Sequence, residues 1–170
     1  MTRALVCALA LVLTGGCQKR TGELVVTPRY VPHLKLESVG PVPTRVDALH
    51  GRVLLVNFMA TWCIPCLQEL PALVALQQRY AQRGFTVVLV GMDLEGALVL
   101  EPFADHYQLT FPMLVADQRI RKGESAFGEI RILPHTFLIS RQGDLRAMFQ
   151  GIASPSELED LVRRELGPEG

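Results

Sequence analysis

Two cysteines, Cys63 and Cys66, bracket Ile64 and Pro65 and follow Trp62 directly. Three kinds of chemistry use a Cys-x-x-Cys spacing. A zinc site needs further ligands, and the sequence offers neither a second pair of this kind nor two histidines at ligand spacing. A structural disulfide is the second kind, but it would close a very short loop and constrain little of the unfolded chain. A redox-active dithiol is the third. It requires one sulfur at a helix N-terminus, where unpaired N–H groups and the helix dipole favour the thiolate, the species that attacks a disulfide. Cys66 follows about one helical turn later, so its sulfur can reach back and close the ring. Pro65 removes a donor that the first turn does not use and presets φ there. Trp62 and Ile64 place apolar surface beside an exposed Cys63 sulfur, where a substrate would lie; plain packing is the other role open to Trp62.

Such a site needs a rigid strand before it and a helix after it. Val53 to Phe58 is a near-continuous apolar run, the pattern of a strand buried on both faces. From Pro65 to about Arg83 the spacing is helical: Leu67, Leu70 and Val74 share a stripe, with Leu73, Leu76 and Tyr80 beside it. Pro71 predicts a kink in this helix, and Gly84 a stop. Thr86 to Met92 predicts a second buried strand. Further on, the pattern predicts a helix from Gly96 to about Tyr107 despite Pro102, and a short strand over Phe111 to Val115. It then predicts a helix over Arg119 to Phe127 closed by Gly128, and a hairpin of His135 to Ile139 with Leu145 to Phe149. Upstream, Leu34 to Val39 predicts an edge strand, and Arg45 to Leu49 a further strand turning at His50-Gly51. The last helix is the best marked: Ser154 as N-cap, Pro155 next, Glu157 completing a capping box, an apolar stripe of Leu158, Leu161, Val162 and Leu166, then Gly167. This order predicts an α/β fold: a central mixed β-sheet with helices on both faces.

Composition narrows the class. A chain of 170 residues suits one domain, and 49% hydrophobic residues supply a core. Lys+Arg 17 balances Asp+Glu 17, so the chain lacks the basic surplus that nucleic-acid binding requires. Met1 to Arg3 is a positive start, Ala4 to Leu13 is apolar and includes Cys7, and Thr14-Gly15-Gly16 is small, which predicts a secretory signal over residues 1–16. Leu13-Thr14-Gly15-Gly16-Cys17 resembles a bacterial lipobox, with Thr14 where Leu is commoner. On that pattern Cys17 is the lipidation site and the acyl chains hold the protein to a membrane. The alternative is an ordinary signal peptide cut near Gly16, leaving Cys17 a free thiol. Either way the protein is exported, with residues 17–33 a Pro-containing tether and 34–170 the domain.

Val56-Asn57-Phe58-Met59-Ala60-Thr61-Trp62-Cys63-Ile64-Pro65-Cys66, followed by Glu69-Leu70-Pro71, resembles the TlpA/ResA-like branch of the thioredoxin superfamily. Leu133-Pro134-His135-Thr136-Phe137-Leu138-Ile139 is similar to that family's cis-proline segment. Gly91-Met92-Asp93 and Phe111-Pro112 are similar to the branch's extra strand–helix unit, so the likeness spans roughly residues 34–166. It implies a thioredoxin-like fold with a strand–helix insertion, and a thiol–disulfide oxidoreductase tethered on the outer side of a bacterial membrane. Cys63 would attack and Cys66 would resolve. Pro134 would be cis and face the sulfurs, and Leu133 would offer its backbone to an incoming peptide; a trans proline opening a strand is the alternative. Trp62, Ile64, Pro65 and Leu133 would touch the substrate. Glu69 would set the dithiol's acidity, or else merely favour the helix dipole. Thioredoxins proper bury an Asp where Asn57 stands, so Glu69 is the leading substitute, and Met59 replaces the family's usual aromatic.

The cysteine pair carries the electrons, so the resemblance implies no organic cofactor and no metal. Its implied partners are exported proteins with cysteine pairs, such as apocytochrome c or an oxidase copper subunit, and a membrane thiol electron donor of DsbD/CcdA type. Two rival functions stay open: a dithiol oxidant that makes disulfides, and a copper-binding assembly factor using Cys63, Cys66 and His135. Copper carriers of this superfamily usually space the cysteines by three residues, and His135 reads more simply as a polar residue at a strand start.

Overall fold

Side chains alternate across a strand, and the two central strands of this fold use both faces. In a computed structural model describing residues 30–168, β2 (Val53–Met59) and β3 (Phe85–Gly91) are buried at every position. Val53, Leu55 and Met59 enter one core; Leu54, Val56 and Phe58 enter the other. Parallel neighbours require crossovers, which α1 (Ile64–Tyr80) provides between β2 and β3, and α2 (Ala97–His106) between β3 and β4 (Met113–Val115). β1 (Glu37–Val39) pairs antiparallel with β4 at one edge. After α3 (Gln118–Arg121), β5 (His135–Ile139) runs antiparallel to β2, and β6 (Leu145–Gln150) antiparallel to β5. The sheet order is β1-β4-β3-β2-β5-β6. The C-terminal α4 (Pro155–Leu166) completes the helical layer on the α1 face, its Leu158, Val162 and Leu166 joining the core with Leu73 of α1 and Leu100 of α2. The opposite face is covered by α3, two short 3₁₀ turns and the loop before β5, through Leu34, Leu49, Ile120 and Phe127. This is the mixed sheet with helices on both faces that the pattern predicts.

Caps follow the sequence closely. Ser154 accepts from the Glu157 amide, and the Glu157 carboxylate accepts from the Ser154 amide at 3.0 Å. Tyr80 donates to Glu159 at 2.9 Å, tying α1 to α4 beside the Arg79–Glu159 ion pair. Gly84 adopts φ 78° after a 3₁₀ turn that ends the α1 segment. Gln77 of α1 accepts from the Val87 amide at 2.8 Å, filling in where β4 is too short to reach that far along β3.

Three expectations are corrected. Tyr30 packs on Phe127 and Phe137 and Val31 is buried in the same cluster, so the folded domain includes residues assigned to the tether, and its boundary lies before 34. Residues 46–49 form a 3₁₀ turn, closed by Ala48 N–H on the Arg45 carbonyl, rather than a strand; β1 already holds the edge place beside β4. The helix expected over Arg119 to Phe127 stops at Arg121. Gly123 takes φ 72° and donates to the Ile120 carbonyl, while Glu124 donates to the Arg119 carbonyl, the Schellman pattern that ends a helix. Cys7, Cys17 and the signal and lipobox readings lie outside the described residues.

Gly91, at the end of β3, faces α2. A β-carbon there would lie 2.3 Å from Leu100 Cδ1, far inside contact distance. Gly91→Ala is expected to destabilise the fold by about 1–3 kcal/mol through overpacking. Urea unfolding checks this: the midpoint drops while the m-value is unchanged.

Candidate active site

The last residues of β2 deliver the chain to a turn, and the turn delivers it to α1. Cys63 N–H bonds the Ala60 carbonyl at 3.0 Å, closing that turn. Cys63 is the N-cap of α1, in an extended conformation, and its Sγ accepts from the Cys66 amide at 3.3 Å. A sulfur here does what a Ser or Asp oxygen does at an ordinary N-cap. Cys63 and Cys66 are disulfide-bonded, so the structure is the oxidised form. In this form Cys63 as a whole residue is 5% exposed, while Trp62 and Ile64 on either side of it project into solvent. Trp62, Cys63, Ile64, Pro65 and Leu133 line one open groove.

The Leu133–Pro134 peptide bond is cis. His135 pairs with Phe58 in the β5–β2 register, so Pro134 stands beside the end of β2 from which the dithiol turn departs. The Pro134 carbonyl accepts from Gly151 at 2.8 Å, which anchors this corner to the segment after β6. His135 points the other way. It shares the face of Phe137, stacks on that ring with centroids 4.6 Å apart, and has neither ring nitrogen hydrogen-bonded. Burial lowers its pKa, favouring the neutral ring. Among the described residues no group of three or more His, Cys, Asp or Glu side chains could hold a metal. The structure therefore does not bring His135 to the sulfurs as a copper ligand, because strand alternation turns it to the opposite face.

Glu69 comes one turn after Cys66 and points into the sheet, with 2% of its surface exposed. It is no solvent-facing helix-dipole residue. Its Oε2 accepts from Asn57 Nδ2 at 2.7 Å, and its Oε1 from the Ala153 amide at 2.9 Å. Asn57 Nδ2 also donates to Thr136 Oγ1 at 2.8 Å. Burial pushes the Glu69 carboxyl above the ordinary carboxylate range, against the pull of the Ala153 and Asn57 hydrogen bonds. A carboxyl with a raised pKa on the helix that carries Cys66 can hold a proton and return it to a thiolate. Thr136 and Ala153 were not singled out from the sequence. Thr136 had a signal: Asn57 is the polar residue in an otherwise apolar β2, and the register sets Thr136 of β5 opposite it. Ala153 had none, since it contributes only backbone. Asp93 is also buried here, bonded to Thr61 in the turn before Cys63.

The Redoxin family model matches residues 28–162. The chain belongs to the Redoxin family. It is 31% identical over 135 residues to the thioredoxin-like protein YneN of Bacillus subtilis, covering 77% of this chain and 75% of that one. It is 32% identical over 127 residues to the thiol-disulfide oxidoreductase ResA of Oceanobacillus iheyensis, covering 74% of this chain and 64% of the relative. A thiol:disulfide interchange protein of the thioredoxin family from Chlorobium tepidum matches in structure with TM-score 0.64 at 28% identity, over 78% of this chain and 95% of that one. This Redoxin-family chain thus has the thioredoxin-like fold and is a TlpA/ResA-like thiol–disulfide oxidoreductase.

The Glu69 shift has a signed consequence. Folded Glu69 keeps its proton to higher pH than the unfolded chain, whose carboxyl titrates near 4.5. Its contribution to stability is full below that value and is lost as pH rises through the raised folded pKa. The stability of wild type minus that of Glu69→Gln is expected to fall from about pH 4.5 upward and then level off. Denaturant midpoints across pH measure this; a flat or rising difference rejects the raised carboxyl.

Proposed function

We propose that this protein is a membrane-tethered, extracytoplasmic reductase of disulfides in exported proteins. The observation that carries the reading is the seat of Cys63: an N-cap sulfur on the Cys66 amide, in a groove it shares with Leu133 of the cis-proline segment. In the reduced protein the Cys63 thiolate attacks one sulfur of a client disulfide. That S–S bond breaks, a Cys63–client bond forms, and the other client sulfur leaves as a thiolate. Cys66 then loses its proton and attacks Cys63. The Cys63–Cys66 bond forms and the second client sulfur departs. Two electrons pass to the client, whose two sulfurs take up two protons. An external dithiol donor must then reduce the pair again.

Leu133 offers backbone to a client strand, and the exposed Trp62 and Ile64 offer apolar contact to the residues around its cysteine. Export and tethering are supported by the signal-like residues 1–16 and the lipobox-like run ending at Cys17; among the described residues no helix is long and apolar enough to cross a membrane. By likeness to the branch, the clients are apocytochrome c or oxidase copper-site cysteines and the donor is a DsbD/CcdA-type membrane protein. The Cys63–Cys66 disulfide serves in place of any bound cofactor.

Trapping tests the reading. Cys66→Ser in cells is expected to accumulate reducible mixed disulfides on Cys63, seen as slow bands without reductant and absent when Cys63 is also Ser. No trapped species would reject it. Direction is set by potential: a value near about −270 mV supports a reductase, and one near about −120 mV makes the protein an oxidant.

A further inference from the structure

We infer that Asp93 is a positioning residue for the nucleophilic sulfur, clamping the turn that presents Cys63 once the disulfide is open. The inference rests on the reading that Cys63 attacks. Asp93 is a carboxylate with 1% exposure, and neither the dithiol steps nor Glu69 make use of it. Both of its oxygens lie 3.1 Å from the Thr61 amide, and Oδ1 also accepts from the Thr61 hydroxyl at 2.6 Å. Thr61 stands two residues before Cys63, inside the turn closed by the Ala60 carbonyl.

The backbone that carries the carboxylate is itself pinned from two sides. Met92 N–H bonds the Met59 carbonyl of β2 at 2.7 Å. From α3, the Arg121 guanidinium donates to the Met92 carbonyl and, at 2.8 Å, to the Asp93 carbonyl. A buried carboxyl without partners is costly, so its hydrogen bonds to donors on a neighbouring segment hold the two together. Here they join a fixed strand end to a turn. In the oxidised form the Cys63–Cys66 bond already ties Cys63 to the first turn of α1. On reduction that tie is gone. Cys63 then keeps its place over the helix N-terminus only if the preceding turn is held from elsewhere, and Asp93 holds it. Helix-end stabilisation of a charge falls off within one turn, so a small drift of the sulfur forfeits much of its acidity.

The experiment measures alkylation of Cys63 across pH, in reduced protein carrying Cys66→Ser, beside thermal melting of the oxidised protein with both cysteines. Asp93→Ala is expected to raise the Cys63 pKa by about one unit, cutting thiolate and alkylation rate near neutral pH about tenfold. Asp93→Asn keeps an acceptor for Thr61 and removes the charge; it is expected to stay within about threefold of wild type. Thr61→Val, which loses only the hydroxyl bond, is expected to fall between, and to add nothing further on top of Asp93→Ala. Arg121→Met is expected to act in the same direction as Thr61→Val and keeps the test available should Asp93→Ala not fold. A merely structural role would lower melting and leave the Cys63 pKa in place, which overturns the clamp. Asp93→Asn as damaging as Asp93→Ala, or a lowered Cys63 pKa in both, also overturns it, because charge rather than position would then govern. A wild-type Cys63 with an ordinary thiol pKa sinks the underlying functional reading instead.

Discussion

A sulfur occupies the N-cap of α1, and the rest of the molecule is arranged around that substitution. An N-cap oxygen satisfies an orphan amide and has no further chemistry; a sulfur satisfies the same amide and can ionise, bond to sulfur and leave again. For this to work, Cys63 must be delivered to the helix end at a fixed height. β2 does so as the inner strand of the sheet, buried along all seven residues and paired on both sides. The strand therefore has no freedom to slide, since a shift by one residue would turn Asn57 away from Glu69 and drive Leu54 into the wrong core.

Between the sheet and α1 the packing is not wholly apolar. Thr136, Asn57 and Glu69 form a buried line that ends on the Ala153 amide. A hydrocarbon core at these positions would hold the fold as well or better, since buried polar groups recover through hydrogen bonds only part of what desolvation costs. Glu69, the acidic member of the line, lies one turn after Cys66 on α1. Asn57 fixes one carboxyl oxygen of Glu69 without competing for its proton, which a second carboxyl in that place would do.

The parts of the fold legible in the sequence were those set by local pattern. β2 and β3 announced themselves as apolar runs, and α4 by its capping box and stripe. Residues 119–127 misled because their spacing is helical and the stop comes from one glycine, Gly123, whose positive φ is decided by tertiary context. Residues 46–49 misled because a strand needs a partner edge, and no local feature reveals that β1 has taken the place beside β4. At the site, the cysteine pair was legible from spacing, and Pro134 and Glu69 from resemblance. The orientation of His135 was not, because one residue of strand parity separates a side chain facing α1 from one facing Phe137. Asp93 drew notice only as part of a family-like segment; its tie to Thr61 spans 32 residues and has no local signature.

The bond between Ala153 and Glu69 joins positions 84 residues apart. The amide comes from the segment that follows β6 and leads into α4, so the surroundings of the dithiol are completed by the final stretch of the chain. During synthesis, a chain that has emerged only as far as the hairpin already carries both cysteines and the proline corner. Its Glu69 still lacks this amide partner. The hydrogen bonding of Glu69 is thus completed only when the segment leading into α4 is in place, and a product truncated before it would carry both cysteines with that carboxyl short of one partner.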